Sequence, residues 1–502
     1  MTRHLEVRSG EYHDSVTLMR VSRSVSDGDG VEAALVAMAT ELNLDLLQDM
    51  GFETPKEAGP NDLVVALRAA DDETLEEARE AVEASLAESG GGGGSDLSGA
   101  GETPTARTTA SAAARAGRPG VALISTPGPN AFVEALDALQ AGLSVMVFSD
   151  NVPLEQELAL KEEAAQRGLL AMGPDCGTAI VSGVGLGFAN AVRPGPVGVV
   201  AASGTGAQQV ACLLDEAGVG LTQLLGVGGR DLSADVGGAA TLQALRALDE
   251  DPATELILVV SKPPDAEIAE QVRTAAGECS KPVVLGFVGR GERDLTAVVG
   301  EVLQTLDEQA SPARSWGPEP PDQARSGELR GLFSGGTLCD EAMAIAAETL
   351  GQIRSNIPLE SDWDLDGDLH ADGHVAIDFG DDALTQGRPH PMIDNGLRIE
   401  QIGHEATRSG ENVLLLDVVL GHGAHPDPAD ELVPALRQAR DTASENGRDL
   451  AVVISLCGSQ GDPQDRDRQA EAFAELGAAV FLSNADAARA AVALLEGAVD
   501  DR

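Results

Sequence analysis

Two rhythms of apolar and polar positions run along most of the chain. Continuous apolar runs of strand length recur: VALIS at 121–125, SVMVFS at 144–149, VGVVAAS at 197–203, ELILVVS at 255–261 and PVVLGFVG at 282–289. Segments with helical spacing lie at 130–141, 153–167 and 207–217. LLAMG (169–173) and GLTQLLGVGG (220–229) add further strands, the first ending at the turn Pro174-Asp175-Cys176-Gly177. Apolar strands separated by helices predict an α/β fold of parallel sheets covered on both faces. Ligands of such folds sit at the carboxyl ends of the strands.

The pattern repeats toward the C terminus. GLFSGG (331–336), HVAIDFG (374–380), NVLLLDVVLG (412–421) and LAVVISLCG (450–458) read as strands, with a helix at 338–349. Both blocks run in one order: a strand ending in a Ser-Gly turn, a helix, a Gly/Asp loop (VGGRDL at 227–232, DFGDDAL at 378–384), a second helix and a strong apolar strand. That order predicts a diverged internal duplication whose two units pack as pseudo-equivalent halves. The start of the chain differs. Segments 31–39 (VEAALVAMA) and 73–87 predict helices, 62–67 a strand, and 16–21 reads equally as strand or helix start. Two stretches lack periodicity, the Gly/Ser-rich 89–115 and the Pro-rich 309–328. The expected organisation is a small α+β module at 1–88, a linker at 89–115, α/β units at 116–194 and 195–308, a linker at 309–328 and an α/β unit at 329–502.

Composition sharpens this picture. The 502 residues carry a formal net charge of −48, spread along the chain, and aromatic residues make up 2%. The cores must therefore be aliphatic. Only Lys56, Lys161, Lys262 and Lys281 are lysines. Acidic charge beside long apolar runs reads as a solvated surface of a folded protein, suited to a halophilic cytoplasm, and it argues against nucleic-acid binding. The five cysteines form no CxxC pair, so neither a zinc site nor a disulfide framework is expected. No leader and no membrane-length apolar segment is read in the chain, and a cytoplasmic location is expected.

The glycine-rich turns carry the candidate chemistry. A helix N-terminus leaves amide groups unpaired and favours anions. Ser203, Gly204, Thr205 and Gly206 stand at one such point, and Ser334, Gly335, Gly336 and Thr337 at another. An ordinary N-cap explains either turn alone; two matched turns in matched halves favour a phosphate cradle. His390 and Arg388, in GRPHPMID with Asp394, offer a proton-transfer group and an anion grip; an exposed loop with Arg–Asp pairing explains the same residues. Lys262 ends the strand in VSKPP and is a further candidate to touch ligand. Pro174, Asp175 and Cys176, in the neighbouring turn, are candidate cofactor-binding residues; an inert turn explains Cys176 equally. His422 and His425 follow NVLLLDVVLG without an evident third metal ligand, so no metal site is expected there.

At these motifs the chain resembles a known superfamily. GLLAMGPDCGT, VGVVAASGTGAQQ, VGGRDL and DEDPATELILVV resemble the succinyl-CoA synthetase α-subunit, and the C-terminal block resembles the ligase domain of the β-subunit. FSDNVPLEQELALKEEA, GGRDLSADVGG, VSKPP, SGGTL, GRPHPMID, LLLDVVLGHGAHPDPA and the N-terminal YHDSVTLMRVSR and PNDLVVALR are more closely similar to FdrA-type proteins, an acyl-CoA synthetase-like branch. The resemblance implies that 116–194 is a partial CoA-binding Rossmann-like domain, and that 195–308 and 329–502 are flavodoxin-like ligase domains. In this superfamily two helix N-termini face one phosphate. The superfamily's phosphorylated histidine lies in a Gly-His-Ala-Gly-Ala stretch, where this chain has GRGERDLTAVVG; its partner glutamate falls where this chain has Ser261-Lys262-Pro263-Pro264. The first glycine-rich turn of the CoA-binding domain has no counterpart, so CoA or a nucleotide enters only through the resemblance. What the FdrA likeness implies is a role in purine or ureide nitrogen catabolism with companion subunits, transferring a carbamoyl group between oxamate and carbamoyl phosphate. The broader family implies a nucleotide-dependent acyl-CoA synthetase instead. A non-catalytic scaffold is a third reading, and a homo-oligomer is compatible with all three.

Overall fold

The computed structural model describes residues 2–11, 13, 15–26, 28, 30–55, 58–90, 106, 108–117, 120–309, 313–318, 325–385 and 388–495. The chain forms two compact units, the first made of Met1–Ala112 with Ser125–Pro127 and Thr385–Pro389, the second of the remainder. The first contains β1 (Thr2–Arg8), α1 (Ser15–Ser26), β2 (Val31–Met38), α2 (Glu41–Asp49), β3 (Leu63–Ala69) and α3 (Asp72–Gly90). Its strands make an antiparallel sheet in the order β1-β3-β2. Residues of α1 and α3 join Val36, Met38, Val65 and Leu67 in one core. On the other face Leu47 and Phe52 join Leu35, Val64 and Ala66. Residues 31–39, expected as a helix, are instead the strand β2. Leu35 and Val36 enter opposite cores, so the strand shows no polar alternation, and pairing with β3 outweighs the helix preference of its alanines. Segment 16–21 lies within α1. Most of the linker expected at 89–115 lies outside the described residues; within it Thr109–Ala116 forms α4.

The second unit opens with three parallel strands, β4 (Val121–Ile124), β5 (Ser144–Val147) and β6 (Ala171–Met172), connected by α5 (Gly128–Gln140) and α6 (Leu154–Arg167). The hairpin of β7 (Thr178–Val181) and β8 (Val184–Gly187) lies within 116–194 but completes the next sheet, β7 pairing antiparallel with β10 (Leu221–Gly226). The turn at 174–177 carries the chain across: the Cys176 thiol lies 3.3 Å from Gly226 O, and Ser182 N donates to Gln223 Oε1 at 2.8 Å. That sheet also holds β9 (Pro194–Ala202), β11 (Leu256–Ser261) and β12 (Val283–Phe287), with α7 (Gly204–Glu216), α8 (Ala239–Glu250), α9 (Ala266–Glu278) and α10 (Leu295–Thr305).

The last sheet contains β13 (Ser315–Trp316), β14 (Leu329–Phe333), β15 (Val375–Asp378), β16 (Val413–Val419), β17 (Ala451–Cys457) and β18 (Ala479–Phe481). Its helices are α11 (Gly336–Leu350), α12 (Asp382–Thr385), α13 (Gly396–Glu405), α14 (Pro428–Glu445), α15 (Arg466–Glu475) and α16 (Asn484–Ala493). The parallel strands run β12-β11-β9-β10 in one sheet and β17-β16-β14-β15 in the other. The two orders are the same, element for element, as a duplication requires.

Polar side chains lock the halves together. Gln209 Nε2 on α7 donates to Leu482 O at 2.9 Å, and Glu341 at the matching place on α11 accepts from Leu295 N at 2.6 Å. Asp462 accepts from Asn190 Nδ2 and from Ala191 N, both at 2.7 Å. Each buried group finds its partner in the opposite half, which fixes the relative register of α7 and α11.

Candidate functional site

Strands β9 and β14, at equivalent places in their sheets, turn at once into α7 and α11. Ser203 caps α7 by accepting the Gly206 amide at 3.0 Å, whereas the N-cap of α11 is Gly335, without a side-chain cap. Gly204 and Thr205 therefore match Gly336 and Thr337. The two helix heads touch: Ser203 Oγ and Thr337 Oγ1 share a hydrogen bond of 2.7 Å. Packing is reciprocal. A methyl on Gly335 would overlap the Thr205 side chain, and one on Gly206 would lie 2.9 Å from Thr337 Cγ2. Only glycine permits this approach at both positions.

The second turn is only partly open to a ligand. Ser334 donates its amide (2.7 Å) and hydroxyl (2.9 Å) to Asp417 Oδ1, and the Gly335 amide donates to Oδ2 at 2.9 Å. Asp417 is buried and pairs with the buried Arg398 at 3.2 Å. An internal carboxylate thus takes the donors that the sequence reading gave to phosphate at Ser334 and Gly335. Among the described residues the amides of Gly204, Thr205, Gly336 and Thr337 have no acceptor. Four unpaired amides at two converging helix heads form the anion-attracting part of the site.

Charge gathers beside these amides. Lys262 follows β11, and a methyl on Gly336 would lie 3.3 Å from its Nζ and 2.7 Å from Asp378 Oδ2. Burial lowers the Lys262 pKa, but Asp378, Asp175, Asp340 and Asp381 outweigh it and keep the ammonium charged. Burial pushes the carboxyls of Asp378, Asp340 and Asp175 up to about 7, against the pull of Lys262. Solvent reaches the Asp175 side chain, yet the protein around it disfavours the charge. Its neighbour Gly229 brings the VGGRDL loop against the same turn.

His390 reaches this cluster from the loop after α12. A methyl on Gly380 would lie 2.8 Å from His390 Nε2 and 3.1 Å from Asp378 Oδ1. Burial, with Arg398 nearby, lowers the imidazole pKa to about 4. The ring is neutral at pH 7. It accepts the Met392 amide at Nδ1 (3.2 Å), so Nε2 carries the proton and can donate. Arg388 is exposed, its amide donating to Thr385 O at 3.1 Å. Cys176 is buried against Gly226 O and Thr178 O, with its thiol pushed up to about 12 by burial, and presents nothing to a ligand. Pro174 is buried behind Gly228. His422 N donates to Ala189 O (2.8 Å), and His425 lies 3.4 Å from Glu431. Among the described residues no group of three His, Cys, Asp or Glu is placed to hold a metal.

Four site residues escaped the sequence reading: Asp378, Asp340, Asp417 and Arg398. Asp417 was the easiest to find, as a charge in the middle of the apolar run NVLLLDVVLG. The stretch GRGERDLTAVVG folds as a turn and the start of α10, capped by Asp294.

A family model described as AllF, heavy metal-associated domain, matches residues 1–102, and one described as CoA-ligase matches residues 332–494. Residues 1–102 contain no cysteine, and His4 and His13 each bond a nearby glutamate, so they do not fit a site for a soft metal ion. The chain is 38% identical over 501 residues to the uncharacterized protein YahF of Escherichia coli K12, covering 95% of each. It is 31% identical over 173 residues to succinate–CoA ligase [ADP-forming] subunit alpha 2 of Archaeoglobus fulgidus, 33% of this chain and 57% of that one. With malate–CoA ligase subunit alpha of Methylorubrum extorquens it shares 27% identity over 197 residues, 36% of this chain and 65% of that one. A solved acetyl-coenzyme A synthetase 1 from Ca. Korarchaeum cryptofilum, in complex with phosphate and ADP, aligns at 16% identity over 75% of this chain and 82% of that chain, with a TM-score of 0.29. On the full-length relative and the two family matches, the chain belongs to the FdrA-type branch of the succinyl-CoA synthetase (acyl-CoA synthetase, NDP-forming) superfamily.

Proposed function

We propose that the chain binds an acyl or carbamoyl phosphate at the heads of α7 and α11 and works with companion subunits as an oxamate carbamoyltransferase in purine or ureide nitrogen catabolism. The observation that carries this reading is the junction held by Ser203 and Thr337 at 2.7 Å, where four unpaired amides meet beside a charged lysine. Such an array stabilises a phosphoryl group that leaves or attacks, because its dipoles are already aimed before reaction. The transfer balances without a phosphoenzyme. The amide nitrogen of oxamate attacks the carbamoyl carbon, the C–O bond to phosphate breaks, and the nitrogen's proton ends on phosphate. No histidine stands in GRGERDLTAVVG to accept a phosphoryl group, which favours direct use of the acyl phosphate. The neutral His390 supplies a hydrogen-bond donor to the same site, and a cytoplasmic setting fits both substrates. Phosphate-dependent cleavage of carbamoyl-oxamate, measured with the companion subunits added, tests the reading; no cleavage and no phosphate binding would end it.

The second reading is a nucleotide-dependent acyl-CoA ligase. The CoA-ligase match at 332–494 and the succinate–CoA and malate–CoA ligase relatives favour it. The nucleotide would then come from a partner subunit. Transfer of label from ATP to a residue of this chain would support that reading over the first.

A further inference from the structure

We propose that Asp378 is the proton-carrying ligand of the phosphoryl group: a dianion at the heads of α7 and α11 is bound together with one proton, which Asp378 takes from solvent and donates through Oδ2 to a phosphoryl oxygen. This rests on the phosphate-site reading above. Asp378 ends β15 and is 4% exposed. Its backbone is clamped by Asn356, which accepts the Asp378 amide and donates to its carbonyl, both at 2.9 Å. Oδ1 accepts the Gly380 amide at 2.9 Å. Among the described residues Oδ2 has no hydrogen-bond partner, and it flanks Gly336 on the same side as Lys262 Nζ. A buried residue therefore presents an unpartnered oxygen beside Gly336, whose amide is free.

The charged and titratable groups facing Asp378 are Lys262 after β11, Asp340 and the Cys339 thiol on α11, Asp417 on β16, Arg398 on α13 and His390. Asp417 and Arg398 neutralise each other, and His390 is uncharged. Lys262 alone cannot offset a dianion together with two carboxylates. A carboxylate about 4 Å from a phosphoryl charge is repelled by roughly 4 kcal/mol per unit charge at an effective dielectric of 20; the acid form donates a hydrogen bond instead. Burial has already brought Asp378 to a pKa of about 7, so protonation near neutral pH is inexpensive. Asp340 lies a turn further along α11, and Asp175 lies against Gly229, so neither occupies this place.

Isothermal titration of the full chain with inorganic phosphate, and separately with sulfate, at pH 8 in buffers of differing ionisation enthalpy reads the proton directly. Sulfate is included because it cannot itself take up a proton in this range. The expected result is about one proton taken up per anion. Asp378→Asn should bind as tightly or more tightly, with the uptake gone, while Asp340→Asn keeps it. Binding without uptake, or uptake that persists in Asp378→Asn, overturns the inference and leaves the phosphate site standing. Failure of the wild-type chain to bind either anion overturns both. Should Asp378→Asn not fold, the carboxyl 13C shift of Asp378, followed against pH with and without sulfate, reports the same proton; an unchanged titration refutes the proposal.

Discussion

Lys262→Met removes the ammonium beside Gly336 and leaves the carboxyls around it in place. At about 4 Å and an effective dielectric of 20, unit charges attract by roughly 4 kcal/mol. Lys262 is partly exposed to water and salt, and halving the figure leaves about 2 kcal/mol, or about 30-fold in Kd. Titration with inorganic phosphate at pH 8 should show at least that loss. The variant should recover part of its affinity below pH 6. Without the lysine, Asp378, Asp340 and Asp175 are protonated more readily and repel the anion less. Circular dichroism should report an intact fold, because buried acids that lose their cation neutralise themselves by taking protons. If Lys262→Met bound phosphate within threefold of wild type at pH 8, the lysine would not face the ligand and the electrostatic reasoning would be wrong.

Other outcomes follow from the same structure. Lys161 is buried and bonds Glu157 and Asp231, each at 2.7 Å, so Lys161→Met should cost about 3–5 kcal/mol in denaturant unfolding; a cost below 1 kcal/mol would refute a paired buried charge. Asp340 is raised in the folded state, so its contribution is fully present below the unfolded value near 3.8 and is lost as pH rises through about 7. Asp340→Asn should therefore gain stability relative to wild type between pH 4 and pH 8, by a few kcal/mol, and a difference that stays flat with pH would contradict the shift. With a net charge of −48, the melting temperature should climb steeply between about 0.1 and 3 M KCl as self-repulsion is screened; no rise would remove the halophilic reading.

The α/β architecture was legible because β9 and β11 are unbroken apolar runs and β14 and β16 are interrupted only by Arg330 and Asp417, and a parallel sheet buried on both faces writes that pattern directly. The same two-sided burial misled the reading at β2, where Ala, Leu and Val without polar alternation resemble a helix. The hairpin at 178–187 left no mark in the sequence analysis because its partner β10 lies some 40 residues further on, and no local pattern encodes a distant antiparallel partner. At the site, both glycine-rich turns and Lys262 stood out locally, one by glycine and hydroxyl spacing, the other by the scarcity of lysine. What the sequence could not show was competition for donors. Ser334 and Gly335 look like cradle residues until Asp417, more than 80 residues away, is seen to hold them. Asp378 and Asp340 were hidden for a related reason: in a chain with 82 acidic residues, only burial beside Lys262 distinguishes these two from the solvated majority.

The central claim is that the heads of α7 and α11 hold one phosphoryl group without passing it through the protein. A crystal structure of the full chain grown with phosphate tests it most directly. The account predicts a tetrahedral anion about 3 Å from the amides of Gly204, Thr205, Gly336 and Thr337 and from Lys262 Nζ, with Asp417 still holding Ser334. An anion seated elsewhere, an empty junction at saturating phosphate, or a phosphorylated histidine would contradict it.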